Sequence, residues 1–241
     1  QMLFDSTTTW NGQEWDVDGT LSKLLKEGKI QNTLVVGIYN GGPEHRTIEY
    51  FPEKGFNNLT AEEKDYVIAE LRKKQQFTGA EKPESDNYLR FIVDEIKPWV
   101  DKNYNTNPTQ KHTFIAGSSY GGLMSLYAIC EYPEVFGGAA CLSTHWTGLY
   151  DNENNPVPDA LFEYFGDNLP SPENHKIYFD YGTETLDALY EPHQLRMNKI
   201  MESKGYNEVN FLCKKFPGHL HDERSWKNRF HIPVMFLSGN E

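Results

Sequence analysis

The chain has 241 residues and a net charge of −12, from 23 Lys and Arg against 35 Asp and Glu. Hydrophobic residues make up 38% of it, enough to build one sizeable core, which excludes a chain that stays disordered. No apolar run is long enough to span a bilayer, and the acidic balance argues against nucleic acid or an anionic membrane as the main partner, because either needs a basic surface.

The chain opens on Gln1-Met2-Leu3-Phe4-Asp5 without a basic stretch leading into an apolar one, so it reads as a processed or excised segment. Residues 30–39 (IQNTLVVGIY) are expected to form a buried strand, closed by the turn Asn40-Gly41-Gly42-Pro43. Residues 60–75 open with Thr-x-x-Glu, a capping box, and predict a charged surface helix. Over 86–104, Tyr88, Phe91, Ile92, Ile96, Trp99 and Val100 recur near the helical period as a core-facing stripe, with Pro98 placed to bend it. A short strand is expected at 112–116, a helix at 119–132 and a strand at 136–142. Residues 150–172 read as a long loop with one short helix at 160–165, suited to a lid. A strand at 176–181, a helix at 190–204, a strand at 209–216 and a helix at 221–237 complete the series. Alternation at this spacing predicts a single α/β domain over 1–241, with a mostly parallel sheet and helices on both faces. Cys130, Cys141 and Cys213 lie in no C-x-x-C pair and at no zinc spacing, and read as small buried hydrophobes.

The sharpest local pattern is Gly117-Ser118-Ser119-Tyr120-Gly121-Gly122, a G-x-S-x-G centred on Ser119. An expected strand runs into it and an expected helix runs out of it. That context defines a nucleophile elbow, a strained turn that lifts the serine hydroxyl above the sheet, with Gly117 and Gly121 expected in crowded backbone. A serine needs a base. His219 and His221 both follow the 209–216 strand, and position alone does not separate them. The orienting acid is expected beyond the preceding strand, among Asp180, Glu184 and Asp187. His145 and Trp146 follow the 136–142 strand at the edge where open α/β sheets bind ligands, and are candidate substrate-binding residues.

Four segments carry a family resemblance. Phe216-Pro217-Gly218-His219-Leu220-His221-Asp222-Glu223-Arg224-Ser225-Trp226 resembles the P-G-x-x-H-x-E-x-x-W segment of an esterase family within the α/β-hydrolases. That family groups feruloyl and acetylxylan esterases, catecholate-siderophore esterases and esterase-D-type enzymes. Tyr181 to Gln194 is similar to its acid loop. Arg46-Thr47-Ile48-Glu49-Tyr50-Phe51-Pro52 is similar to its R-x-x-E-Y-x-P, and Trp15-Asp16-Val17-Asp18 to its W-x-V-D. The resemblance covers nearly the whole chain. It implies an α/β-hydrolase fold whose early strands precede Gln1, with His221 as base and Asp187 favoured over Glu184 as acid. It places the oxyanion amides at Tyr120 and at Gln1 or its neighbour Met2. It further implies a serine carboxylic-ester hydrolase acting on feruloyl or acetyl esters of plant polysaccharides, with a secreted or periplasmic setting favoured. A siderophore esterase and an acyltransferase are the enzymatic alternatives, and a carbohydrate-binding or scaffolding module the non-enzymatic one. No metal or organic cofactor is implied; the expected partner is a small-molecule or carbohydrate ester.

Overall fold

In the computed structural model, which describes residues 2–9 and 11–240, four parallel strands form one sheet in the order β1-β2-β3-β4. The first half of the chain is helical: α1 (Val17–Lys26), α2 (Arg46–Tyr50), α3 (Glu53–Asn57), α4 (Ala61–Lys73), α5 (Ser85–Arg90) and α6 (Lys97–Asn103). Strands and helices then alternate. β1 (Phe114–Ser118) leads into α7 (Tyr120–Glu131), and β2 (Gly138–Leu142) is followed by α8 (Val157–Asn168). β3 (Lys176–Gly182) leads to α9 (Glu191–Ser203), and β4 (Phe211–Phe216) to α10 (Glu223–Arg229) and α11 (His231–Ser238).

Side-chain alternation sorts the sheet into two faces. Ala139, Cys141, Ile177 and Phe179 point into a large core with α7, α8 and α9. Their neighbours Ala140, Leu142 and Tyr178 point the other way, against Trp15 ahead of α1, Leu21 of α1, Trp226 of α10, Phe230 between α10 and α11, and Leu237 of α11. Register pairs Ser118 with Leu142, Leu142 with Asp180, and Gly182 with Phe216. Because all four strands run the same way, the segments after β1, β2, β3 and β4 leave from one edge, where ligands bind in open α/β sheets.

Four expectations are corrected. The 30–39 segment forms no strand: Ile30 alone makes an antiparallel bridge, to Gly239, and Leu34, Val35 and Val36 are 50%, 37% and 43% exposed. Its β-branched composition is realised as a strand only beside a partner, and no described strand pairs with it. The short helix expected at 160–165 is longer: α8 spans 157–168 and buries Leu161, Phe162 and Phe165 in the main core, so most of 150–172 is packed helix and not a long loop suited to a lid. The 86–104 helix has three parts, because residues Phe91–Ile96 widen to a π-helix just before Pro98. The wider turn accommodates a residue that lacks an amide and crowds the carbonyl four residues back. It also rotates the helix face, so Tyr88, Ile92 and Val100 are buried while Phe91 and Trp99 are exposed. Finally, the 221–237 helix breaks at Phe230, three residues before Pro233.

Candidate active site

Ser119 stands between β1 and α7 at φ 58°, ψ −125°. A non-glycine residue at positive φ costs about 1–3 kcal/mol, and the surroundings hold it there. The Ser119 amide donates to Leu142 O at 2.9 Å, while its carbonyl accepts from the Gly122 and Leu123 amides of α7 and from the His145 amide. Crowding at the elbow is one-sided. A Cβ on Gly117 would lie 2.5 Å from Gly121 O, whereas a Cβ on Gly121 would meet nothing within 4 Å. Gly117 is therefore required by the close approach of the α7 backbone, and Gly121 supplies the backbone that approaches. The Tyr120 amide opens α7, where the helix offers it no acceptor of its own. Gln1, the other expected oxyanion donor, lies outside the described residues.

The loops after β3 and β4 are laced together. The amides of Thr183 and Glu184 both donate to His219 O, at 3.2 and 3.1 Å. Gly218 N donates to Thr183 Oγ1 at 2.8 Å and His221 N to Thr185 Oγ1 at 2.9 Å. This approach needs a bare Gly182, since a Cβ there would sit 2.2 Å from His219 O. The result sets His221 Nδ1 2.5 Å from Asp187 Oδ1. Asp187 is fully buried, whereas Glu184 is exposed and accepts from Thr183 Oγ1. His219 instead lays its ring on Phe216.

Asp187 Oδ2 accepts from Ser143 Oγ at 2.6 Å and from Gly182 N at 2.5 Å. Burial pushes the Asp187 carboxyl up, but the hydrogen bond and charge of His221, with the Ser143 and Gly182 donors, outweigh it and hold the carboxyl below its ordinary value. Ser143 is fully used: while donating to Asp187 it accepts from Trp226 Nε1 at 3.0 Å and from Arg229 Nη2 at 2.6 Å. Arg229, 1% exposed, also pairs with Asp180 Oδ1 at 2.9 Å. The third acid candidate, Asp180, is thereby committed to Arg229, Tyr178 Oη and the Ser143 amide.

Rings connect the serine to the histidine. Tyr120 packs edge-on to His145 (centroids 4.6 Å apart), His145 to Tyr190 (5.8 Å) and Tyr190 to His221 (5.7 Å). His145 and Trp146, the candidate substrate-binding residues, are both buried. His145 is 1% exposed, with Nδ1 2.6 Å from Tyr190 Oη, and burial, then the neighbouring charges of His221 and Arg46, push its pKa well down, keeping it neutral. Trp146 is fully buried, packs on Phe162, Phe165 and Phe179, and donates to Gln194 Oε1 at 2.9 Å. Short spacing carries both residues from the strand end straight into the core. Ser143, Arg229 and Tyr190 were not singled out in the sequence. The hint at Arg229 is its place three residues after Trp226 and directly before Phe230, two aromatics of one helical face.

The parallel sheet, with the Ser119 turn after its first strand and the Asp187–His221 pair beyond its last two, has the fold of the α/β-hydrolase esterases. The sequence model of the "Putative esterase" family matches residues 2–233, and the chain belongs to that family. Among curated proteins it is 22% identical over 227 residues to "Uncharacterized protein YbbA" of Bacillus subtilis (strain 168), covering 91% of this chain and 78% of that one. It is 26% identical over 155 residues to an "Endo-1,4-beta-xylanase/feruloyl esterase" of Xylanibacter ruminicola, covering 63% of this chain and spanning only 17% of that protein. A solved structure described as a ferulic acid esterase superposes on 93% of this chain and 77% of its own, with TM-score 0.61 and 14% identity.

Proposed function

We propose that the chain hydrolyses carboxylic esters through an acyl-enzyme on Ser119, with His221 as general base and Asp187 as its orienting acid. Ser119 Oγ attacks the ester carbonyl carbon as its proton passes to His221 Nε2. The tetrahedral oxyanion is held by the Tyr120 amide. As it collapses, the ester C–O bond breaks and the leaving alcohol takes the proton from His221. Water then attacks the acyl carbon with His221 again as base, releasing the acid and restoring Ser119. Asp187 stays ionised throughout, fixing the imidazole tautomer and offsetting the charge it gains.

The observation that carries this reading is the buried Asp187–His221 contact, built on two interlocked loops at the sheet edge that also presents the Ser119 elbow. Feruloyl and acetyl esters of plant polysaccharides are the substrates we propose first; the similarity to the xylanase/feruloyl esterase supports including them. The test compares wild type and Ser119→Ala on an aryl acetate and on methyl ferulate. Wild type is expected to hydrolyse at least one, with the variant slower by 10³-fold or more, on the order seen when a triad serine is removed. Equal rates would rule the reading out.

A further inference from the structure

Arg46 opens α2 with its guanidinium over two tyrosine rings, 5.5 Å from the Tyr50 centroid and 5.6 Å from that of Tyr120. Tyr120 directly follows the elbow serine, so the cation sits over the residue whose amide is proposed to hold the oxyanion. Its charge also reaches the two rings beyond, helping to lower the pKa of His145 and opposing the rise at Tyr190. Yet among the described residues no carboxylate pairs with Arg46, and its guanidinium N–H groups make no hydrogen bond, the backbone amide alone donating, to Gly42 O at 2.9 Å. The acid of its own helix, Glu49, accepts from Gly41 N at 2.8 Å. In a chain with twelve more acids than bases, an unclaimed guanidinium over the ring of the residue that follows the elbow serine is conspicuous. The guanidinium, a rigid fork of donors matched to a carboxylate, lies half-buried over the two rings with no carboxylate of the described residues on it.

We propose that Arg46 is an anion subsite of the Ser119 centre, and that the enzyme prefers esters carrying a second, ionised carboxylate to neutral esters of the same shape. The inference rests on the esterase reading above. The carboxylate can belong to the acyl chain or to the alcohol, as on a uronic acid sugar. The chemistry is shared: two parallel charge-assisted hydrogen bonds to the guanidinium edge.

The test uses matched pairs. On the acyl side, 4-nitrophenyl hemisuccinate is compared with its methyl ester; on the alcohol side, 4-acetoxybenzoate with methyl 4-acetoxybenzoate. The quantity read is the ratio of kcat/KM for the charged and neutral member, in wild type, Arg46→Gln and Arg46→Lys, with thermal melting to establish that each variant is folded. In one of the two pairs the wild-type ratio is expected to exceed one. Arg46→Gln is expected to lower it about tenfold to hundredfold, the range for losing a hydrogen bond to a charged group, and Arg46→Lys to recover part of it. The pair that responds identifies which side carries the carboxylate. If Ser119-dependent hydrolysis proceeds but the ratio is the same in wild type and Arg46→Gln, the subsite is overturned, the esterase reading stands, and Arg46 serves only to pack the rings. If no ester is turned over in a Ser119-dependent way, both fall together.

Discussion

Asp187 is held by donors from three places in the chain: Ser143 after β2, Gly182 at the end of β3, and His221 after β4. With that carboxylate ionised and fixed, Asp187→Asn is expected to lower kcat by about 10³- to 10⁴-fold, because an amide can present the wrong group to His221 Nδ1. Glu184→Gln, on the exposed side of the same loop, is expected to leave kcat at the wild-type level. The pH dependence follows from the direction of the Asp187 shift. Its folded pKa lies below the ordinary 3.8, so its ionised form contributes stability that is complete above about pH 4 and is lost as the pH falls through the folded value. Urea denaturation of wild type and Asp187→Asn should show a stability gap that narrows below that pH; a gap independent of pH would contradict the assignment. At this scale the sequence was readable where chemistry imposes spacing. Gly117 to Gly121 announced the elbow, and the run from Phe216 to Trp226 separated His221 from His219 by resemblance. Ser143 was not readable, because its partners Asp187 and Arg229 are 44 and 86 residues away and nothing local marks a serine that will carry three hydrogen bonds.

Interlocking of the loops after β3 and β4 is a property of elements rather than of residues. Each loop supplies donors to the other, and the close approach that permits this depends on Gly182. Gly182→Ala would place a methyl group 2.2 Å from His219 O and force the loops apart. The expected result is a fall in kcat of at least about tenfold, since a displacement near 1 Å at a catalytic group costs on that order or more. Wild-type kcat in this variant would show that the loops are not what aligns His221. Most strands and helices from β1 onward were legible because each buries a face of the right period. Two places were less so. The π-turn before Pro98 shifted a stripe that looked continuous, and α8 looked shorter than it is because Val157-Pro158-Asp159 and Gly166-Asp167-Asn168 at its two ends read as loop.

For the whole molecule, parallel strands bring four separate segments to one sheet edge, and the proposed chemistry is distributed over them: serine after β1, the buried hub of Ser143 after β2, acid after β3, base after β4. The parallel sheet followed from alternation alone. The 30–39 segment did not, since a strand is a relation between two chains of backbone and composition supplies only one of them. Arg46 likewise gains meaning only in the assembled molecule, where α2 lays its cation over Tyr120. The most direct test of the account is covalent labelling with a fluorophosphonate, read by mass spectrometry of the resulting peptides. A single adduct on Ser119, absent from Ser119→Ala and strongly reduced in His221→Ala, is the predicted result. Folded protein that takes no label, or takes it on another residue, would contradict it.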